Sequence, residues 1–130
     1  MTTLTLEKEP TARRVECTDE YLVVHLTDGR TVSAPLDWYP RLAFGTPEER
    51  ANVELVADGW GLHWPELDED LHVEGILAGK RSGEGERCFR GWKAAMQERR
   101  RLRAKGEEPA PWGTGDYRIP YTAFLPGDDE

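Results

Sequence analysis

Apolar and polar residues alternate along three short runs in the first third of the chain. The apolar positions share one side of this period-two pattern, and they are Val15, Cys17, Leu22, Val24, Leu26, Val32 and Ala34. A turn sequence, TDGR at residues 27–30, separates the second run from the third. Alternation interrupted by an Asp-Gly turn is typical of paired strands with one buried face. The pattern predicts a three-stranded antiparallel meander.

The alternation stops at Pro35, where turn and helix signals begin. Residues 35–45, PLDWYPRLAFG, contain two prolines, and we predict a bend or irregular turn there. A short helix should follow, because Thr46 is a good N-cap, Pro47 suits the first helical position and Glu49 can reach back to the cap. This combination is a strong signal for a helix start.

A second hairpin is predicted from residues 53–56 and 61–64, which flank a turn at Asp58 and Gly59. The chain then enters an acidic loop within residues 66–74. Apolar residues at helical spacing follow the loop, and they predict a helix that stops at Gly79. These residues are Val73, Ile76 and Leu77.

The C-terminal part begins with a polar linker at residues 80–86 and continues as an amphipathic helix to about Arg103, which Gly106 closes. The helix has its apolar residues at helical spacing: Phe89, Trp92, Ala95 and Met96. Four of the nine prolines lie in the tail that follows, so the tail should be extended. Its aromatic residues are too numerous for a solvated tail, and they indicate docking.

These elements predict an α+β fold: a small curved antiparallel sheet, made of the meander plus the second hairpin, with short helices, followed by a C-terminal helix and an extended tail. Residues 12–79 should form a single domain, and residues 80–130 the basic helix with a Pro- and aromatic-rich tail. The length of 130 residues suits one modest core. Without an apolar run of about 18 residues or a signal-like start, we expect a cytoplasmic protein with no membrane contact.

Charge is spread unevenly along the chain, whose net charge is −8. Residues 1–79 carry 6 Lys or Arg against 16 Asp or Glu, residues 80–105 carry 10 against 3, and residues 106–130 carry 1 against 6. The chain is therefore an acidic body, a basic segment and an acidic tail. Such a basic segment can lie near acidic surface of its own or a sister chain, or contact an acidic partner.

The motifs of the N-terminal half occur in a specific order: the DGR turn, PLDWYPRL, TPEER and GLHWPELDEDLHVEGILAG. This order resembles the bacterial family known as domain of unknown function 2442, over residues 12–79. The resemblance implies a small α+β domain with a curved antiparallel sheet and short helices. Proteins of this kind occur alone, joined to a helix-turn-helix domain, or beside a small partner in arrangements resembling toxin–antitoxin pairs. The family has no established catalytic residues, so the resemblance implies none here.

Two features depart from that pattern. His72 stands where a small hydroxyl residue is common, and histidine caps helices poorly. We therefore expect a looser helix start at Val73, or a cap supplied by Asp70. Residues 80–130 lack two similar amphipathic helices joined by a short turn, so the helix-turn-helix form of the family is not expected.

The acidic loop is the first candidate for chemistry. Its carboxylates are Glu66, Asp68, Glu69 and Asp70. Mg²⁺ and Ca²⁺ bind several such oxygens, but the order lacks the features of an EF-hand loop, and acidic residues before a helix also suit the helix dipole. We expect capping or solvation, no metal site and no catalytic residues. The alternative is a small hydrolase or metal enzyme at residues 66–74.

Histidine and cysteine residues add little chemistry. His25, His63 and His72 have no zinc-binding spacing, and His63 is expected to be a hydrogen-bonded sheet residue. Cys17 and Cys88 have no neighbours that activate a thiolate. The glycine-containing stretches match no nucleotide-binding loop, so no cofactor is expected.

The second candidate is the C-terminal half, where positive charge and aromatic side chains occur together. The candidate partner-binding residues are Trp92, Arg99, Arg100, Arg101, Arg103, Trp112, Tyr117, Tyr121 and Phe124. Such residues are enriched in interface hot spots. We expect a non-catalytic, antitoxin-like protein-interaction module that binds a small basic partner protein, or a sister chain in a homo-oligomer. The alternative is a nucleic-acid-binding regulator that uses the basic helix 87–103, although a pI near 4.9 opposes general affinity for a polyanion.

Overall fold

The computed structural model of the protein describes residues 10–113, which divide into two compact units between Ser82 and Gly83. The first unit contains two three-stranded antiparallel sheets and three short helices, and the second contains one long helix. The fold class is α+β, as the sequence predicts. The strands form two open sheets rather than one.

The first sheet is the predicted meander. Its strands β1 (Ala12–Cys17), β2 (Tyr21–Leu26) and β3 (Thr31–Pro35) lie in that order. The turn before β3 contains Gly29 at a φ of 96°, a conformation that glycine adopts without strain. The central strand contributes most to the core. Its buried residues are Leu22, Val24 and Leu26.

The stretch at residues 35–45 is helical rather than irregular, which corrects the prediction. A 3₁₀ turn spans Leu36–Trp38, and helix α1 spans Pro40–Phe44. Pro40 occupies the first position of α1, where a backbone N–H would have no partner within the helix. This stretch supplies three buried core residues: Leu36, Tyr39 and Leu42. Proline marks a helix start here, not a break.

Helix α2 spans Pro47–Ala51 and begins with the predicted capping box. The backbone N–H of Glu49 donates to the Thr46 hydroxyl at 3.1 Å, and the backbone N–H of Thr46 donates to the Glu49 carboxylate at 2.9 Å. Two donors that the first helical turn leaves without partners are satisfied in this way.

The second sheet contains β4 (Glu54–Val56), β5 (Gly61–Trp64) and β6 (Glu69–His72), in that order. The predicted hairpin is confirmed, because β4 pairs with β5. Strand β6 was not predicted: Glu69 and Asp70 lie in a strand rather than in the acidic loop. The buried strand β5 needs backbone partners on both sides, and β6 supplies the second set.

The turn between β4 and β5 is closely packed against the first sheet. Ala57, Asp58 and Gly59 all have positive φ, of 53°, 56° and 93°. A Cβ atom at Gly59 would lie 2.7 Å from the carbonyl oxygen of Ala12, at the start of β1. The backbone conformation and the close approach both require glycine. The second hairpin therefore touches the first sheet at this point.

Arg50 is a buried charge that links several elements of the first unit. Its guanidinium donates to the carbonyls of Leu42 at 3.2 Å and Gly45 at 2.5 Å, and it lies 3.4 Å from the Asp19 carboxylate. The two carbonyls lie at the C-terminal end of α1, where helix carbonyls lack the usual donor four residues on, and the Leu42 carbonyl also accepts from the Gly45 N–H at 3.1 Å. The indole N–H of Trp64 donates to the Arg50 carbonyl at 3.0 Å. Arg50 thereby joins α1, α2 and β5.

The first unit ends with helix α3 (Val73–Leu77) and a short strap. Gly79, at a φ of 77°, follows the helix as predicted. The strap consists of residues 80–82. The backbone N–H of Ser82 donates to the Trp38 carbonyl at 3.0 Å, and the Arg81 guanidinium lies 4.7 Å from the centroid of the Trp38 ring. These contacts fasten the strap to the 3₁₀ turn.

The second unit contains helix α4 (Glu86–Ala104), followed by Gly106 at a φ of 84°. The predicted helix and its end are confirmed. The rings of Phe89 and Trp92 stack with their centroids 5.5 Å apart. The buried side chains of α4 share one helical face: Trp92, Ala95, Met96 and Arg99. Over residues 10–113, no helix combines the length and apolar character needed to cross a bilayer.

Candidate interaction surface

The predicted acidic loop is held in place by Arg41 of α1. The Arg41 guanidinium donates to the Asp68 carbonyl at 2.6 Å and lies 3.6 Å from the Asp68 carboxylate. Asp68 has a φ of 54°, a conformation that aspartate adopts more readily than most residues. One arginine therefore satisfies both the backbone and the side chain of Asp68. The Asp68 carboxylate therefore has a structural role in holding this loop against α1.

Asp70 pairs with a histidine across the second sheet. The Asp70 Oδ1 atom lies 2.7 Å from the His63 Nδ1 atom, and the two residues are opposite each other in register. His63 is thus a hydrogen-bonded sheet residue, as predicted. Of the two alternatives for the start of α3, the cap by Asp70 is wrong: Asp70 lies in strand β6 and its carboxylate pairs with His63. His72 makes no side-chain cap either, and the N–H of Val73 donates to the Trp60 carbonyl at 2.9 Å.

The other two acidic residues, Glu66 and Glu69, are half-buried. Burial, and then the nearby charge of Glu69, raises the pKa of Tyr39. Its hydroxyl is therefore protonated at neutral pH, and it donates to the Lys80 carbonyl at 3.4 Å. Over residues 10–113, no three His, Cys, Asp or Glu side chains come together as metal ligands would. The acidic side chains are distributed among separate neighbours.

The thiol of Cys17 is half-buried at the end of β1. Burial raises the pKa of this thiol to about 11, and the charge of Arg50 offsets only part of that effect. The thiol is therefore protonated at neutral pH, where it is a poor nucleophile. Cys88 is exposed on α4.

Arg99 and Trp112, two of the predicted partner-binding residues, contact each other within the second unit. The Arg99 guanidinium donates to the Ala110 carbonyl at 2.5 Å and lies 4.4 Å from the centroid of the Trp112 ring. A guanidinium over an indole face is a favourable cation–π contact. The chain that follows α4 therefore returns alongside the helix, and Arg99 holds it there.

The remaining arginines of the predicted surface differ in exposure. Arg101 is exposed and pairs with Glu98 at 2.5 Å, which holds the pKa of that carboxyl below its usual value. Arg103 is half-buried and lies 3.3 Å from Glu108, and Arg100 is also half-buried. Three predicted residues lie outside the described part of the chain: Tyr117, Tyr121 and Phe124.

A surface that the sequence reasoning missed lies on the second sheet. Strand β4 is at the sheet edge, and all three of its residues are exposed. Leu55 is 42% exposed, Val56 38% and, just beyond the turn, Trp60 39%. A single exposed apolar residue is ordinary, whereas several on one short hairpin indicate a binding surface. We define the edge-strand surface as Glu54, Leu55, Val56, Asp58 and Trp60.

The apolar part of this surface continues around the edge of the sheet. Leu55 lies opposite Leu62, which is fully buried, so the two side chains share the sheet face that packs on the core. Val56 lies opposite Gly61, and its side chain is on the other face of the sheet. A Cβ atom at Gly61 would lie 3.0 Å from the Val56 side chain, so glycine leaves room for that valine. Neither face of β4 is covered completely.

Two acidic residues flank these apolar residues along the chain. Glu54 and Asp58 are exposed, one on each side of Leu55 and Val56 along the chain. No Lys or Arg occurs between Arg50 and Lys80, a stretch that contains seven Asp or Glu. This acidic stretch was a signal in the sequence that could have drawn attention to the segment, although β1, which carries Arg13 and Arg14, contacts β4 in the fold. The exposure itself depends on the edge position of β4, which the sequence does not reveal.

Two solved structures are similar to part of this chain. A crystal structure of a protein of unknown function from Rhodospirillum rubrum is 29% identical, with a TM-score of 0.54, over 59% of this chain and 95% of that one. A solution NMR structure of an uncharacterized protein from Chromobacterium violaceum is 27% identical, with a TM-score of 0.50, over 56% of this chain and 69% of that one. Neither description states an activity, so the two structures support a fold only.

No curated protein matches the chain. A family described as "Protein of unknown function (DUF2442)" matches residues 12–82, which include both sheets, helices α1 to α3 and the strap. The match covers more than half of the chain and confirms the resemblance seen in its motifs. The chain therefore belongs to the DUF2442 family of proteins of unknown function.

Proposed function

We propose that this protein is a non-catalytic interaction module that binds another protein through its edge-strand surface. The observation that carries the proposal is the exposure of Leu55, Val56 and Trp60 on one short hairpin. Moving such side chains from water into an interface contributes roughly 25 cal/mol per Å² of apolar area. A partner that covers them would remove an exposed apolar area of the kind that soluble proteins usually keep small.

The state of the acidic and thiol groups supports binding over chemistry. The carboxylates of Asp68 and Asp70 pair with Arg41 and His63, and the Cys17 thiol is protonated at neutral pH. Catalytic groups need pKa values matched to their task and a position beside a substrate. The pairings described above occupy these groups within the fold instead.

The partner we propose is a separate small protein, and an antitoxin-like pairing is one form of such a complex. The C-terminal half remains a second contact region in this proposal, and Arg101 is an exposed arginine within it. Arg99 and Trp112 contribute indirectly, because they hold the chain after α4 in place. The apolar edge-strand surface supplies the affinity.

The proposal is tested by photo-crosslinking in the full chain. A photoreactive phenylalanine analogue replaces Leu55 in one variant and Tyr21 in a control, since Tyr21 is 46% exposed on the first sheet. We expect the Leu55 variant to form a crosslink to one protein that mass spectrometry identifies, and the Tyr21 variant to form none. Equal crosslinking at both positions, or none at Leu55, would contradict the proposal.

A different result would favour the alternative function, nucleic-acid binding. A chain that gives no crosslink at Leu55 but is retained on duplex DNA at moderate salt would act as a nucleic-acid-binding regulator. Retention should then fall in Arg101→Gln, because phosphate contacts depend on positive charge.

A further inference from the structure

We propose that the outer edge of β3 pairs with the same edge of a second copy, so that the first sheets of the two copies join into one continuous sheet. Strand β3 is the last strand of its sheet, and it bonds to a neighbouring strand on one side only. Unpaired backbone groups at such an edge are a template for another strand.

The hydrogen bonds beside β3 show which of its backbone groups point outward. The Leu26 N–H donates to the Arg30 carbonyl at 2.8 Å, so these two residues form a hydrogen-bonded pair. Such pairs alternate with non-bonded ones along antiparallel strands, and the register between β2 and β3 has no shift. Val32 therefore directs its N–H and carbonyl toward β2, while Thr31 and Ser33 direct theirs away from the sheet.

These outward groups remain accessible in the described part of the chain. Thr31 and Ser33 are both exposed, and over residues 10–113 no helix or loop forms a hydrogen bond with their backbone. Val32 lies opposite the buried Val24 on the core-facing side, yet it is only half-buried. The core is incompletely covered at this edge, and an added strand would cover Val32.

Strand β3 also lacks the protection that edge strands usually have. Soluble proteins prevent unwanted pairing with charged residues, bulges or blocked backbone groups on edge strands. Strand β1 carries three charged residues and a register irregularity, and β4 carries Glu54. In β6, the Asp70 N–H donates to the Glu69 carboxylate at 3.2 Å. Strand β3 has no charged residue, and Pro35 stands only at its last position.

The sequence of β3 is complementary to itself in one antiparallel register. With the two-fold axis at Val32, Thr31 of each copy lies opposite Ser33 of the other, and each such pair exchanges both hydrogen bonds. Moving the axis to Ser33 would place Pro35, which has no N–H, opposite Thr31. Moving it to Thr31 would pair Ser33 with Gly29, whose φ of 96° belongs to the turn.

The side chains that meet in this register are compatible. Val32 faces Val32 of the second copy on the core side, and the hydroxyl residues face each other on the outer side, both favourable cross-strand pairs. Arg30, next to β3, would face Ala34 and already pairs with Asp28 at 2.9 Å. The two Arg30 residues would lie about 13 Å apart along the strands, beyond the range of about 8 Å in physiological salt. No like charges oppose each other, so a second copy fits.

Charge reversal at the edge tests the pairing in the full chain. Sedimentation velocity should show a species of twice the 14.8 kDa chain mass. The double variant Thr31→Glu and Ser33→Glu should be monomeric, because like charges would lie opposite each other. The double variant Thr31→Lys and Ser33→Lys should also be monomeric, and mixing the two should restore a dimer that native mass spectrometry identifies as mixed. Arg13→Glu alters exposed charge on β1 instead, and it should remain dimeric.

A crosslink tests the register without adding charge. In a chain with Cys17→Ala and Cys88→Ser, Val32→Cys should place two thiols opposite each other in a non-bonded pair. The Cα atoms of such a pair lie about 4.5 Å apart, which a disulfide spans. Diamide takes one hydrogen from each thiol as the S–S bond forms, and a non-reducing gel should show the dimer. Val23→Cys is the control, since it is also half-buried but lies on the central strand.

The proposal is overturned if the native chain is monomeric, if the glutamate variant remains dimeric, or if Val23→Cys crosslinks as well as Val32→Cys. Capture of a different protein by the native chain that the glutamate variant loses would assign the edge to that protein instead. The proposed function is tested separately, because β4 contacts β1 at the opposite edge of the first sheet. Its Leu55 crosslink should persist in the glutamate variant.

Discussion

The two sheets of the first unit have the same number of strands and the same antiparallel order, but different interactions specify them. Strands of six, six and five residues form the first sheet, and their alternation is sufficient to define it. Strands of three, four and four residues form the second, which depends on the contact of Gly59 with Ala12 and of Arg41 with Asp68. The sheet that is specified less by its own pattern is also the one that exposes an apolar edge.

One feature is shared by the two sheets. Each central strand carries a histidine whose ring nitrogen lies 2.7 Å from a carboxylate of a neighbouring strand, His25 with Glu16 and His63 with Asp70. Cross-strand pairs of this kind stabilise a sheet modestly. The difference between the sheets therefore lies in their turns and edges rather than in these pairs.

The largest expected effect concerns the turn of the second sheet. Gly59→Ala should destabilise the protein by about 3 kcal/mol or more, because a Cβ atom would combine positive-φ strain with a clash against the Ala12 carbonyl. Gly29→Ala is the matched control, since its φ of 96° is similar but nothing lies within 4 Å. It should cost about 1 kcal/mol. Chemical denaturation measures both, and equal losses would show that the contact with Ala12 is unimportant.

The next effect tests how strongly the second sheet depends on α1. Arg41→Met should reduce the free energy of unfolding by about 2 kcal/mol, because it removes the donors that satisfy Asp68 and leaves that carbonyl half-buried. Arg30→Met removes an exposed pair with Asp28 in the turn of the first sheet, and it should cost much less than Arg41→Met because solvent screens exposed ion pairs. If both variants unfold at the same urea concentration, the contacts of Arg41 with Asp68 contribute no more to stability than a surface ion pair does.

A smaller effect is expected from the strap. We predict that residues 12–79 fold without the rest of the chain, and that extending the fragment to Ser82 adds about 1 kcal/mol. The strap supplies a hydrogen bond and a cation–π contact to Trp38, each of modest strength. Urea unfolding of fragments that end at Gly79 and at Ser82 measures the difference. Loss of cooperative unfolding in both fragments would show that the second unit is needed for the fold.

The smallest effect concerns pH and the first sheet. The hydrogen bond from His25, and then the charge of Arg14, holds the pKa of Glu16 below its usual value of 4.5. A carboxyl with a lowered folded-state pKa stabilises the fold fully above 4.5, and this contribution is lost as the pH falls below that value. Glu16→Gln should therefore flatten the dependence of stability on pH in this range. An unchanged slope in urea unfolding would contradict the assignment.

The sequence predicted the elements whose signals are local. The period-two alternation identified the first sheet, the combination of Thr46, Pro47 and Glu49 identified α2, and helical spacing up to Gly106 identified α4. Strand β6 was missed because Glu69 and Asp70 have low strand propensity, and pairing with β5 overrides it. Helix α1 was missed because proline both breaks and starts helices, and only packing distinguishes the two roles.

Candidate sites were harder to predict because exposure depends on the tertiary structure. Arg99 and Trp112 have the composition of an interface, yet their side chains contact each other across the turn that follows α4. Leu55 and Val56 have the composition of a core strand, yet β4 lies at an edge. Residue type alone does not distinguish these cases, because what decides them is which residues distant in sequence come into contact.

The contact between Gly59 and Ala12 has a consequence for folding kinetics. Two residues so distant in sequence meet only after a long loop has closed, and loop closure is slow relative to the formation of a short hairpin. We expect the hairpin of β2 and β3 to be structured in the transition state and the β4–β5 turn to be largely unstructured. In kinetic phi-value analysis, residues around Gly29 should then score near one and Ala57 near zero. The edge-strand surface would be assembled after the rate-limiting step.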